Sequence, residues 1–234
     1  MKTLVIGDLH GAYEVVRLVK KTKEVDRVVF LGDYLDSYDR PIADQIVTLT
    51  EVLEMAEAEP EKYIALIGNH ERSYLFPKEM CSGFNYETDA MVTHLADRMK
   101  EVLKPYFWID DLWLATHAGV DHWLLEERGE TLQEYLEGGD HTQISKARGG
   151  WDNHGGLYWQ DWKDFTPVNH VNQVVGHTHY KHEGVLKYRR VGNSMNVNVD
   201  CIPYSKYQNI KDAIFLIIED GILKEVDWEY LEYE

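Results

Sequence analysis

Residues 3–11 read TLVIGDLHG. A short apolar run containing branched side chains and closed by glycine has the length and composition of a buried strand. The segment after it, AYEVVRLVKKT at 12–22, places Val15, Val16, Leu18 and Val19 on one face of a helix. DRVVFLGD at 26–33 then repeats the strand pattern, down to the closing Gly-Asp. IADQIVTLTEVLEMAEA (42–58) reads as a long helix, and EKYIALIGNHE (61–71) as a third strand running into a loop. Strand–helix–strand order implies parallel strands joined by crossover helices, so the first third of the chain is α/β.

Further along, the segment from about Ser73 to Lys104 is helical and polar and is expected to cover one edge of a site. YFWID (106–110) and LWLATHAG (112–119) read as antiparallel strands joined at Asp110–Asp111, and WLLEERGETLQEYLE (123–137) as one more helix. Residues 138–170 are rich in Gly, His, Asp and Trp and show no clear period. The last part, with VNQVVGHTH, GVLKYRR, SMNVNVD, DAIFLIIED and ILKEVDWE, is a run of strands with a hairpin signal at Asp220–Gly221. There is no internal repeat, low-complexity tract or linker, so a single domain over 1–234 is expected.

The 234 residues, 44% hydrophobic and 12% aromatic, suit one globular core. No segment approaches the length of a membrane span, and the N-terminal apolar run meets Gly-Asp too early for a signal peptide. Two cysteines, Cys81 and Cys201, are too few for a disulfide framework. They read as small buried hydrophobes in a reducing, cytoplasmic compartment. The net charge of −17 argues against a long nucleic acid as partner, because such binding rests on Lys and Arg neutralising phosphates. A short phosphorylated ligand held by metal ions remains compatible with it.

The chemistry lies where the strands stop. The first three end at Gly7-Asp8-Leu9-His10-Gly11, Gly32-Asp33-Tyr34-Leu35-Asp36 and Gly68-Asn69-His70-Glu71. Later ones end at His117-Ala118-Gly119 and Gly176-His177-Thr178-His179. Open α/β sheets gather ligands at the carboxyl ends of their strands. Two Asp, one Asn and four His would therefore converge: Asp8, Asp33, Asn69, His10, His117, His177 and His179. Carboxylate with imidazole suits Mn, Fe, Zn or Ni, and the set contains no thiolate. So many ligands exceed what one ion needs but suit two sharing a carboxylate, typically about 3.5–4 Å apart and clamping a displacement at phosphorus.

In order and spacing these motifs resemble the calcineurin-like metallophosphoesterases. Gly7-Asp-x-His-Gly11, Gly32-Asp-Tyr-x-Asp36 and Gly-Asn-His-Glu71 are most similar to the serine/threonine phosphoprotein phosphatase branch, with its bacterial, phage and diadenosine-tetraphosphatase-like members. The resemblance implies a four-layer α/β/β/α sandwich of two mixed sheets, with a dinuclear metal site at the sheet edges. It implies that Asp8, His10, Asp33 and His179 bind the first ion. Asp33 would bridge to the second, completed by Asn69, His117 and His177. The metals would be two divalent ions, manganese foremost, that generate hydroxide from water near neutral pH. By the same resemblance His70 is the general acid and Asp36 its partner.

The chain departs from the branch at its arginines. Ser37 follows Asp36 where the branch carries Arg, and Ile67 precedes Gly-Asn-His-Glu where it carries another. Arg40 is displaced from the first of these positions. Arg148, in KARGGWDNHGGLYWQDW, lies at a comparable distance before Leu157-Tyr158-Trp159 to a further phosphate-binding arginine of the branch and is the candidate here. Trp151, Tyr158, Trp159 and Trp162 read as loop anchors. His94, His122, His141, His154, His170 and His182 read as surface or structural. The expected activity is hydrolysis of phosphomonoesters, in phosphoprotein or a small phosphoester. A nucleotide or phosphodiester hydrolase, acting on a dinucleoside polyphosphate or cyclic phosphate, is the alternative, and a non-catalytic binding module a third reading.

Overall fold

A computed structural model describes residues 1–179, 185–203 and 205–233, so the reading of His182 lies outside the described residues. The strands are β1 (Lys2–Ile6), β2 (Arg27–Phe30), β3 (Tyr63–Ala65), β4 (Tyr106–Ile109), β5 (Trp113–Thr116), β6 (Asn172–Val175), β7 (Lys187–Val191), β8 (Ser194–Asn198), β9 (Ile214–Glu219) and β10 (Ile222–Asp227). The α-helices are α1 (Tyr13–Lys21), α2 (Ile42–Ala58), α3 (Asn69–Leu75), α4 (Tyr86–Val92), α5 (Ala96–Val102), α6 (His122–Arg128), α7 (Leu132–Gly138) and α8 (Trp228–Tyr233).

Two mixed sheets result, ordered β10-β9-β1-β2-β3 and β4-β5-β6-β8-β7. In the first, β1, β2 and β3 run parallel, Val5 opposite Val29 and Val29 opposite Ile64, and β9 joins β1 antiparallel. In the second, β5, β6 and β8 run parallel between antiparallel β4 and β7. Side chains alternate along a strand, and the central strands β1, β2, β5 and β6 bury both of their faces. Val5, Val29 and Ile64 meet Trp113, Ala115, Val174 and Val197 between the sheets. Leu4, Ile6, Val28 and Phe30 face the opposite way, against Val15, Val19, Leu49 and Leu53 of α1 and α2. Leu114 similarly packs with Leu124, Leu125 and Leu136 of α6 and α7. The four-layer α/β/β/α sandwich is the observed architecture.

Both expected hairpins form with left-handed central residues, φ 50° and 55° at Asp110–Asp111 and 49° and 77° at Asp220–Gly221. Two expectations need correcting. The single helix expected over 123–137 is two, because Gly129 ends α6 in the left-handed region and Thr131 caps α7 through a reciprocal pair with Glu134. The strand expected to reach Glu229 stops at Asp227, and the acidic tail continues as α8.

Candidate metal centre

The motif loops fold together at one edge of the sandwich, on backbone that most side chains avoid. Among the described residues, eight non-glycines have positive φ, and four of them are His10, Asp33, Asp36 and His177. Such conformations cost about 1–3 kcal/mol each and persist where the surroundings impose them. The motif glycines admit close approach: a Cβ on Gly68 would collide with Asp33 Oδ1, and one on Gly176 with Asp8 Oδ1.

Glu71, fully buried, ties the loops together. Its carboxylate accepts the backbone N–H groups of Asp33, Tyr34, Leu35 and Gly68 at 2.8–3.2 Å. Burial nonetheless pushes its pKa up to about 7, against the pull of these donors.

Two groups of donor atoms share Asp33. On one side, His117 gives its Nδ1–H to Leu31 O at 2.9 Å and turns Nε2 inward; burial works against the imidazolium, but the Asp33 charge outweighs it and raises the pKa. Its Nε2 stands 2.8 Å from Asn69 Oδ1, 3.1 Å from His177 Nδ1 and 3.4 Å from Asp33 Oδ2. Two imidazole nitrogens, an amide oxygen and a carboxylate oxygen gathered at ligand–ligand distances suit a cation between them. His177 fits that role, since burial first and Arg148 second hold its pKa well below the ordinary value and keep the ring neutral. Its Nε2 is also buried without a hydrogen-bond partner among the described residues.

On the other side, His10 gives Nδ1–H to Leu35 O at 2.7 Å and turns Nε2 to within 3.8 Å of Asp33 Oδ2. Burial lowers its pKa as well. A ring nitrogen fixed by a carbonyl so that its partner nitrogen faces inward is the usual outer support of a metal-ligating histidine. Asp8 accepts the His177 N–H at 3.0 Å and is fully buried. Burial, then the nearby charges of Asp200 and Asp33, raise its pKa well above the carboxylate range. Carboxylates crowded in low dielectric need positive charge beside them.

His70 belongs with His10 and Asp33 to the other of these groups. Its Nδ1–H donates to Asp36 Oδ2 at 2.8 Å, and Nε2 lies 3.8 Å from Asp33 Oδ2. Burial works against the imidazolium, but the Asp33 charge and the Asp36 hydrogen bond outweigh it, so the pKa is raised well above the ordinary value.

The sequence matches the family of calcineurin-like phosphoesterases over residues 1–181. The chain belongs to that family. Comparison with curated protein sequences gives no match. Among solved structures, a point mutant of a cold-active protein tyrosine phosphatase is similar at 18% identity and TM-score 0.64, over 97% of this chain and 78% of the other. A protein serine/threonine phosphatase from Saccharomyces cerevisiae, with similarity to human PP5, is similar at 16% identity and TM-score 0.58, over 97% and 79%. At these identities the likeness establishes the fold. The calcineurin-like fold and the two donor groups together make this a metal-dependent phosphoesterase centre, arranged for two divalent ions.

Asp8 and His179, expected as ligands of the first ion, are in neither of the two groups, which are formed by His10, Asp33 and His70 and by Asp33, His117 and His177. His179, the second imidazole of the Gly-His-x-His motif, has Nδ1 3.5 Å from Oδ1 of Asp200, two residues past β8. The Arg148 guanidinium reaches the site from the loop of 138–170, paired with Asp161 at 2.9 Å and donating to the Thr178 hydroxyl at 2.8 Å. Arg40 is turned away, buried and paired with Glu14 at 3.0 Å. Tyr158, Trp159 and Trp162 are buried loop anchors, with Trp159 edge-on to His177, whereas Trp151 is 93% exposed. His141 is buried on Tyr135 O, and His154 pairs with Asp121.

Neither cysteine is the fully buried hydrophobe expected, because both lie in partly exposed segments. Cys81 instead turns its thiol toward His70. Three residues of the site went unread in the sequence: Glu71 as the backbone anchor, Asp200 behind His179, and Tyr74, whose hydroxyl donates to Asp36 Oδ1.

Proposed function

We propose that this chain is a phosphomonoesterase of the serine/threonine phosphoprotein phosphatase kind, acting on phosphoprotein or a small phosphoester with manganese as its metal. The observation that carries the reading is the 2.8 Å hydrogen bond between His70 and Asp36 beside the shared carboxylate of Asp33. Asp8, His10, Asp33 and His179 would hold one ion, and Asp33, Asn69, His117 and His177 the other. Divalent ions held there would acidify a water and offset charge on the phosphoryl oxygens. Asn69, as a neutral amide, leaves the second position more positive toward a phosphate than a carboxylate would.

The chain supplies the rest. His70, kept protonated by its carboxylate neighbours, gives the Nε2 proton to the leaving oxygen. Asp36 keeps Nδ1–H engaged, so the ring presents the same nitrogen before and after transfer. Arg148 is the cation at hand for a phosphoryl oxygen, and the tie to Asp161 sets its orientation.

A second reading rests on the arginines. With Arg40 committed to Glu14 and Ile67 in place of a clamp, Arg148 is the guanidinium that attends the site among the described residues, which suits a nucleotide or diester as well as a phosphopeptide. A panel of phosphopeptides, alkyl and aryl monoesters, diesters, diadenosine tetraphosphate and cyclic nucleotides, assayed with Mn²⁺, separates the two. Monoester turnover at least about ten-fold above diester turnover is expected, and the reverse order overturns the monoesterase assignment.

A further inference from the structure

A third group of donor atoms shares only His70 with the two groups around Asp33. Asp36 Oδ2 is 2.8 Å from His70 Nδ1, Cys81 Sγ is 3.5 Å from the same nitrogen, and the three atoms all fall within 4.8 Å of one another. Two features bring the thiol there. Ser73 Oγ, on α3, donates to Cys81 Sγ at 2.9 Å and accepts the Cys81 N–H at 3.2 Å. Two residues on, Gly83 adopts φ 102° and packs flat on the pair, where a Cβ would stand 3.1 Å from Asp36 Cβ and 3.3 Å from His70 Cε1. The loop is thus laid directly over the pair.

We propose that Asp36, His70 and Cys81 form a third cation site, for a thiophilic divalent ion such as zinc, and that filling it shuts the enzyme off. Zinc takes oxygen, nitrogen and sulfur together, with bonds of about 2.0–2.3 Å. On a tetrahedral ion such bonds set N···S near about 3.6 Å and N···O near about 3.3 Å. The thiol is already at that spacing, and the carboxylate needs to open by about half an ångström. The fourth position stays free for water. The donor set differs in kind from the dinuclear pair, which holds only oxygen and nitrogen, so a soft ion prefers this site and a hard one such as Mn²⁺ the pair.

Binding releases two protons to solvent, one from the Cys81 thiol and one from His70 Nδ1. The ion occupies the nitrogen that Asp36 holds, and a ring bound in this way cannot remain the imidazolium that gives up a proton. Inhibition therefore rests on the reading of His70 as general acid, whereas binding does not.

The test is run on the full chain with Mn²⁺ in excess, so that the dinuclear sites are filled. Cadmium, added as a spectroscopic substitute, should bring up one thiolate-to-metal charge-transfer band in the near ultraviolet. The Cys201 thiol is pushed up to about 12 by burial, so the band should persist in Cys201→Ser and vanish in both Cys81→Ser and Cys81→Ala. Zinc should inhibit the unsubstituted enzyme, and half-inhibition of the Cys81 variants, each scaled to its own zinc-free rate, should need at least about ten-fold more zinc. A band retained in the Cys81 variants, or absent from the parent, overturns the site. A band lost with zinc inhibition unchanged overturns the inhibitory role. The band answers for the site even if no phosphatase activity is found.

Discussion

The Tyr74 hydroxyl donates to Asp36 Oδ1, while the other oxygen of that carboxylate takes the His70 Nδ1–H. Asp36 is therefore held from both sides, by a side chain one turn along α3 from His70 and by His70 itself. Phe84 stacks on the Tyr74 ring with centroids 5.0 Å apart, so the ring stays in place when the hydroxyl is removed. Tyr74→Phe should loosen the carboxylate by about 1 kcal/mol, or roughly five-fold in kcat, with KM unchanged. The loss should fall on alkyl phosphates more than on aryl phosphates. An equal loss on both would make Tyr74 a packing residue only.

Metal removal should be visible as stability. Asp8, Asp33 and Asp200 are buried together, and Asp33 faces both donor groups. A site filled at a hundred times its Kd adds about 2.7 kcal/mol. For a domain of this size that corresponds to a Tm shift of roughly 5–10 °C per site. Chelation should lower Tm by that order and Mn²⁺ restore it, as scanning calorimetry would register. Asp33→Asn removes the shared charge and should bind clearly fewer than two ions by elemental analysis. Two ions retained with full activity would remove Asp33 from the bridging role.

His179 and Asp200 provide a separate test of the first ion. His179 Nδ1 lies 3.5 Å from Asp200 Oδ1, whose charge also acts on Asp8. His179→Ala should weaken one ion selectively, with activity recovered by excess Mn²⁺. Asp200→Asn should show the same pattern in weaker form, within the about 10- to 100-fold range of outer supporting groups. Metal dependence unchanged in His179→Ala would leave the ring a structural role.

Much of this centre is legible because its residues sit where strands stop, and strand ends carry local signals in glycine and in loss of apolar character. Gly7, Gly32, Gly68 and Gly176 mark those stops directly. The pairing of two sheets is less legible: Leu4 and Val5 are both apolar because both faces of β1 are buried, so no alternation marks which face meets the second sheet. The break at Gly129 carried its own signals, a glycine followed by Thr131-x-x-Glu134. They were masked because Leu124, Leu125, Leu132 and Leu136 maintain a helical rhythm across it. Tyr74 and Asp36 are 38 residues apart, and His179 and Asp200 pair across a strand. No spacing rule reaches such contacts, since loop closure in three dimensions creates them.

The leaving group decides whether His70 is an acid or only a support. An alkoxide leaving from a serine or nucleoside phosphate is strongly basic and needs a proton as the bond breaks, whereas nitrophenolate is stable without one. Positioned acid catalysis is worth about 10²–10⁴-fold where that protonation limits the rate. The 2.8 Å bond to Asp36 and the raised pKa equip His70 to supply the proton. His70→Asn should therefore cost kcat on alkyl phosphates by that order and far less on p-nitrophenyl phosphate, with metal content unchanged. Asp36→Asn should follow the same pattern more weakly, because the imidazole remains but is poorly held. If both substrate types lose equally, the defect lies in metal or substrate placement, and the proton must come from elsewhere.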